Sequence, residues 1–156
     1  MNTASTPPLI LQRTDARHPG FRTLVRQLDA ALSELNGTAD GFYQQFNGLE
    51  HIQHVIIAQS NGTTLGCGAM KELAVDTMEV KRMFVSPEAR GQGIAKGVLA
   101  ALEEWAGELG CRCMQLETGT NNPEAIGLYT RCGYSIIPNF GQYAGVAGSV
   151  CFQKML

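Results

Sequence analysis

The chain has 156 residues, 44% hydrophobic and 17% charged, with a formal net charge of −2. That length supports one folded unit with a true core, and the charge balance excludes a general nucleic-acid or anionic-membrane binder. No apolar run approaches the roughly 20 residues that span a bilayer, and the opening MNTASTPPLI has no basic stretch followed by a long apolar one, so a cytoplasmic protein is expected.

Residues 1–8 are polar and contain proline, and read as a flexible end. Leu9–Arg13 follows as a short first strand. Phe21–Leu35 carries Leu24, Val25, Leu28, Ala31, Leu32 and Leu35 at helical spacing and stops at Asn36-Gly37. Asp40–Phe46 is expected to form a second short helix whose Phe42, Tyr43 and Phe46 make an aromatic face. Val55–Gln59 and Thr64–Leu73 flank Asn61-Gly62, a strong hairpin signal. Within the third strand, Gly66-Cys67-Gly68-Ala69 leaves room for something packed closely above it. Asp76–Val85 is the fourth strand, and Ala95–Leu109 a long helix ended by Gly110. Met114–Glu117 is the fifth strand, Pro123–Cys132 the fourth helix, and Tyr134–Pro138 and Ser149–Lys154 the last two strands. This order is a mixed α/β (α+β) arrangement, not a regular alternation.

Cys67, Cys111, Cys113, Cys132 and Cys151 form an odd set without a C-x-x-C pair, so free thiols are expected and Cys132 reads as packing. Cys111-x-Cys113 is too tightly spaced for a usual zinc knuckle, and His51 and His54 read as surface residues; no metal is expected.

Val80–Lys96, VKRMFVSPEARGQGIAK, holds most of the chemistry. A strand runs into Pro87, then into the glycine-rich turn Arg90-Gly91-Gln92-Gly93, and a helix begins at Ile94. The free N–H groups of that first helical turn, at the positive end of the helix dipole, make an anion site suited to a phosphate-bearing ligand. No Gly-Lys-Ser/Thr follows, so the turn is not a Walker loop; Lys96 stands where a dinucleotide fingerprint needs its third glycine. A second block, Asn121–Tyr134 (NNPEAIGLYTRCGY), has Asn122 as a helix cap, Pro123 at the first helical position, and Ala125, Leu128 and Tyr129 on one face before Gly133.

Arg90-Gly91-Gln92-Gly93-Ile94-Ala95 resembles the R/Q-x-x-G-x-G/A signature of the GCN5-related N-acetyltransferases (GNAT). The second block resembles that family's N-x-x-A-x-x-L-Y-x-x-x-G-F/Y pattern, in the same order and about thirty residues on. The resemblance runs from roughly Leu9 to the C-terminus, most strongly from Gly66. It implies a single N-acetyltransferase domain over 9–156. The implied fold is a mostly antiparallel six- to seven-stranded sheet, splayed between its fourth and fifth strands and flanked by about four helices. It also implies acetyl-CoA as cosubstrate, without a metal. Arg90, Gly91, Gln92, Gly93, Ile94, Ala95 and Lys96 would then hold the phosphates. The backbones of Met83, Phe84 and Val85 would pair with the pantetheine arm, and Asn122 would contact it.

The family's direct transfer needs a base for the amine and an acid for the departing thiolate. Glu79 matches the register of the base in the histone-modifying members; an exposed strand residue paired with Lys81 would look the same. Tyr129 matches the acid, with an aromatic core residue as its alternative. Phe42 and Tyr43, with Phe140 and Tyr143 of the loop before the last strand, are the candidate acceptor residues. The expected acceptor is a small-molecule amine or amino acid, then a protein Nα or lysine amine. A non-catalytic acyl-CoA sensor is the rival class. The resemblance leaves room for a homodimer and implies neither nucleic acid nor membrane as partner.

Overall fold

The computed structural model describes residues 7–45 and 48–156. The expected frayed residues 1–6, and Phe46 of the aromatic face, lie outside them. A single seven-stranded sheet runs in the order β1-β2-β3-β4-β5-β7-β6. Its strands are β1 (Ile10–Thr14), β2 (His54–Ser60), β3 (Thr63–Ala74), β4 (Thr77–Val85), β5 (Cys113–Gly119), β6 (Ser135–Ile137) and β7 (Ser149–Met155). All pairings are antiparallel except β4–β5. Among the described residues four α-helices accompany it: α1 (Pro19–Asn36), α2 (Asp40–Gln44), α3 (Ile94–Glu108) and α4 (Pro123–Arg131). Most boundaries fall within a residue or two of those read from the pattern, because hydrophobic period and turn residues agree.

The β2–β3 hairpin turns through Asn61 and Gly62 at φ 53° and 81°, the left-handed pair that a tight hairpin needs. Pro19 opens α1, and His18 Nδ1 accepts from the Gly20 N–H at 3.0 Å as its cap. Phe21, Leu24 and Val25 from α1 pack on one sheet face with Val55, Ile57, Cys67 and Phe84. Val98, Leu99 and Leu102 of α3 pack on the other with Ile56, Met70, Val80, Met114 and Phe152. Tyr129 and Tyr134 join that second core.

What lies closely above the small residues of β3 is α3. A Cβ added to Gly68 would meet Val98 Cγ1 at 2.7 Å and crowd Met83 Sδ; one on Gly66 would meet Ile94 Cγ2 at 2.7 Å. Gly68→Ala should therefore lower stability by about 1–3 kcal/mol through overpacking. Gly107→Ala on exposed helix surface, where a Cβ meets nothing, should be neutral or stabilising by about 0.4–1 kcal/mol. Urea midpoints of the two variants check this directly. Equal midpoints would mean that α3 does not press on β3.

His54 departs from the surface reading: it is half-buried, edge-on to Trp105 at 4.7 Å, and burial lowers its pKa. The five cysteines are free thiols, and burial pushes Cys67 up to about 12. Among the described residues no His, Cys, Asp and Glu side chains gather as a metal-binding group, and no helix is long and apolar enough to cross a membrane.

Candidate active site

β4 and β5 stay together for three residue pairs, Thr77–Cys113, Met78–Met114 and Glu79–Gln115, and then part. A bulge in β4 adds to the separation. Between the pairs Ala69–Lys81 and Cys67–Phe84, β3 runs through one residue and β4 through two. Arg82 takes φ +58° there, a conformation that costs a non-glycine residue about 1 kcal/mol or more. Its buried guanidinium is tied to α1, donating to Asp29 Oδ1 and to the Val25 carbonyl at 3.4 Å. The extra residue breaks the alternation, so the adjacent Lys81 and Arg82 both reach the α1 side of the sheet.

The gap forms a half-open cavity of about 150 Å³. Glu79 and Lys81 line it from β4, Glu117 from β5, Tyr129 from α4, Tyr43 from α2 and Tyr143 from the loop before β7. Leu28, Leu32 and Leu35 of α1 form its apolar wall. Glu79 is 1% exposed. Lys81 Nζ stands 3.5 Å from its Oε2, an oxygen without a hydrogen bond among the described residues. Burial lowers the Lys81 ammonium, opposed by the charge of Glu79. Across the gap, Glu117 Oε2 accepts from Ser149 Oγ at 2.5 Å, and Ser149 Oγ lies 3.2 Å from the Tyr43 hydroxyl. Burial raises the Glu117 carboxyl above its ordinary value, and the Ser149 bond and Lys81 counter part of this. Tyr129 and Tyr143 are buried, and desolvation raises both phenols, so both stay protonated at neutral pH. A proton acceptor and a proton donor thus border one small space.

At the far end of β4, a 3-10 turn at Pro87–Ala89 leads into Arg90-Gly91-Gln92-Gly93. Gly91 and Gly93 both have φ +79°, and a Cβ on either would meet only open space. Gly93 caps α3 without a side-chain bond, and no acidic residue stands in the first turn. The amides of Ile94, Ala95 and Lys96 therefore present donors to an approaching diphosphate at the positive helix end, which this donor set fits. Ile94 gives only its backbone, its side chain being core. Arg90 is placed differently from expectation. Its Nε donates to the Val85 carbonyl at 3.0 Å, and its guanidinium lies over the Phe84 ring at 5.5 Å. It thus engages a backbone acceptor expected to face the pantetheine arm.

Asn122 caps α4, its Oδ1 accepting from the Ala125 N–H at 3.2 Å, and also borders the cavity. Of the four expected acceptor aromatics, Tyr43 and Tyr143 line the space. Phe42 and Phe140 do not: each sits edge-on to its neighbouring tyrosine, at 5.2 and 5.9 Å. Glu79 is paired with Lys81 as the plainer reading had it, but it is buried rather than exposed. Glu117, Ser149, Lys81 and Arg82 were missed as site residues. One signal for Glu117 was available: in β5, Gln115 and Glu117 alternate with the core residues Met114 and Leu116 inside a central strand.

Residues 17–134 match the model of the acetyltransferase (GNAT) family. The IAA acetyltransferase of Azospirillum brasilense is 31% identical over 155 residues, covering 96% of this chain and 99% of that one. A Klebsiella pneumoniae structure described as an acyl-CoA N-acyltransferase superposes with a TM-score of 0.79 at 30% identity, over 95% of this chain and 97% of its own. A GNAT family acetyltransferase from Elizabethkingia anophelis, solved with acetyl-CoA bound, shares the fold at TM-score 0.68 and 16% identity, over 95% and 98%. The family match takes in β4, the glycine turn and α4, and with the near full-length relatives it means that this chain belongs to the GNAT family and is an acyltransferase.

Proposed function

We propose that the protein moves the acetyl group of acetyl-CoA onto the amine of a small molecule by direct attack, with the acceptor seated in the β4–β5 cavity. The observation that carries this reading is the pairing of a half-buried, hydroxyl-supported carboxylate, Glu117, with a buried protonated phenol, Tyr129, on the walls of one cavity. Acetyl-CoA, when bound, supplies an acyl group already activated as a thioester. The chain does the rest. Amides at Gly91–Lys96, with the α3 dipole, hold the diphosphate. The edge of β4 from Met83 onward, left uncovered by β5, holds the arm by backbone pairing. Glu117 takes the proton of the amine, directly or through one water. Glu79, whose Oε2 is closed off from solvent beside Lys81, holds that lysine in place and so sets the charge of the floor. Tyr129 protonates the departing thiolate, and Asn122 fixes the helix that carries it.

Free-thiol release from acetyl-CoA across a panel of primary amines tests the reading. Amine-dependent release is expected. Coenzyme binding with no release for any amine or peptide would favour an acyl-CoA-binding module instead. Tyr129→Phe keeps the ring in the core and removes the proton donor. Its kcat should fall while coenzyme affinity holds. General acid catalysis contributes about 10²–10⁴-fold, and a thiolate, being a fair leaving group, places the loss at the low end. An unaltered kcat with chemistry rate-limiting would return Tyr129 to packing alone.

A further inference from the structure

Among the described residues three that are not glycine take a positive φ, and two of them, His51 and Asn61, lie in turns. The third, Arg82, stands inside β4 at φ +58°. Its side chain is buried, and its Nε is closed off from solvent without a hydrogen bond among the described residues. Arg82 thus costs the fold twice, once in the backbone and once in an unanswered buried donor. Such costs persist only where the surroundings hold the residue in place. Two elements do so here. From α1, Asp29 Oδ1 and the Val25 carbonyl accept from the guanidinium. From β3, the Cys67 thiol donates to the Arg82 carbonyl at 3.4 Å. That thiol is buried, and burial pushes it up to about 12, so it keeps the proton it donates.

Directly after Arg82 comes the stretch of β4 that β5 has left uncovered. The bulge decides how that stretch is turned. Met83 packs with the α3 core and Phe84 with the α1 core, and without the extra residue each would point to the opposite face. We infer that Arg82 is a positioning residue for the coenzyme: held by Asp29 and Cys67, it keeps the bulge wound before the coenzyme arrives, so that the Met83–Val85 edge is already set for the pantetheine arm. This rests on the reading above that this edge receives the arm. An edge shaped in advance costs nothing at binding, whereas a relaxed one must be rewound at the expense of affinity.

Calorimetry with two probes tests this: coenzyme A, and phosphoadenosine diphosphate, which is the coenzyme without its arm. Arg82→Ala should fold, because Asp29 is half-exposed and returns to water, leaving no buried charge unpaired. Alanine is strained at a positive φ and has no tether, so affinity for coenzyme A should fall roughly tenfold. Phosphoadenosine diphosphate should bind as it does to the parent. Arg82→Gly also lacks the tether but adopts that φ freely, and should recover most of the loss. A residue that merely filled space would give the reverse order, glycine being the smaller. Asp29→Asn keeps an acceptor without its charge and should weaken coenzyme A roughly threefold, again sparing the armless probe; it carries the test if Arg82→Ala does not fold. Unchanged coenzyme A affinity in the folded variants, equal losses for both probes, or glycine no better than alanine overturns the inference and leaves the arm on β4. A parent chain that binds both probes equally would remove the arm from that edge, and both readings would fall together.

Discussion

Gly93→Asp is expected to abolish useful coenzyme binding in a protein that still folds. Gly93 has φ +79° and stands at the start of α3. Aspartate is among the few residues that tolerate that conformation, and its Cβ would meet open space. Folding should therefore survive, with a modest fall in melting temperature. Binding should not. An aspartate carboxylate at this position turns onto the first-turn amides and occupies the donors that a diphosphate needs. It also sets a negative charge about 5 Å from two more, a repulsion of about 3 kcal/mol per phosphate charge at an effective dielectric near 20. Affinity for acetyl-CoA should drop by at least roughly 100-fold in calorimetry. Gly93→Asn blocks the same amides without the charge and should fall between the two. Unchanged affinity in a folded Gly93→Asp protein would mean that the turn at 90–96 is not the phosphate seat.

The turn itself was legible because everything that defines it is local. Gly91, Gly93 and the apolar period from Ile94 lie within a few residues, and each demands one backbone state. The same holds for Asn61-Gly62 and for Asn122 with Pro123. The cavity is different. The stripe Leu24, Val25, Leu28, Leu32, Leu35 says that one face of α1 is covered, not by what. Its first turns cover the core with Phe21, Leu24 and Val25, whereas Leu28, Leu32 and Leu35 cover the cavity. The bulge at Arg82 cannot be read from VKRMFV, because it depends on Asp29 and Val25, more than fifty residues earlier. The burial of Glu79 likewise depends on Lys81 beside it and on β5, which pairs with it through Gln115 after the whole of α3 has intervened. Period-two alternation placed Glu79 and Lys81 on one face and could not say that the face was covered. Spacing marks Phe42 and Phe140 as acceptor-side aromatics together with Tyr43 and Tyr143, but it does not say which ring of each pair faces the cavity; each phenylalanine sits edge-on to the tyrosine that lines it.

Glu117→Gln should give the largest loss in kcat, on the order of 10²–10⁴-fold, because it removes the proton acceptor and little else. The amide keeps the shape of the side chain, and its oxygen can still accept from Ser149. Burial raises the Glu117 carboxyl above its ordinary value, which fixes the sign of two further effects. First, the reaction needs the ionised form, so activity in the parent protein should disappear as pH falls through that raised value. In the Gln variant this acid limb should be absent, leaving only the titration of the amine substrate. Second, a carboxyl whose pKa is higher folded than unfolded stabilises the fold when protonated, and that contribution is lost as pH rises through the raised value. At neutral pH the ionised carboxylate is therefore a burden on the fold, and Glu117→Gln should melt no lower than the parent, and higher if anything. Glu79→Gln should behave in the opposite way. It leaves the buried Lys81 ammonium without its nearest counter-charge, so its melting temperature should fall while the acid limb persists. A Gln variant at 117 with full kcat, beside a Glu79→Gln variant that has lost both kcat and the limb without losing stability, would move the proton acceptor back to β4. In that case Lys81 would have to swing away from Glu79 when the acceptor arrives.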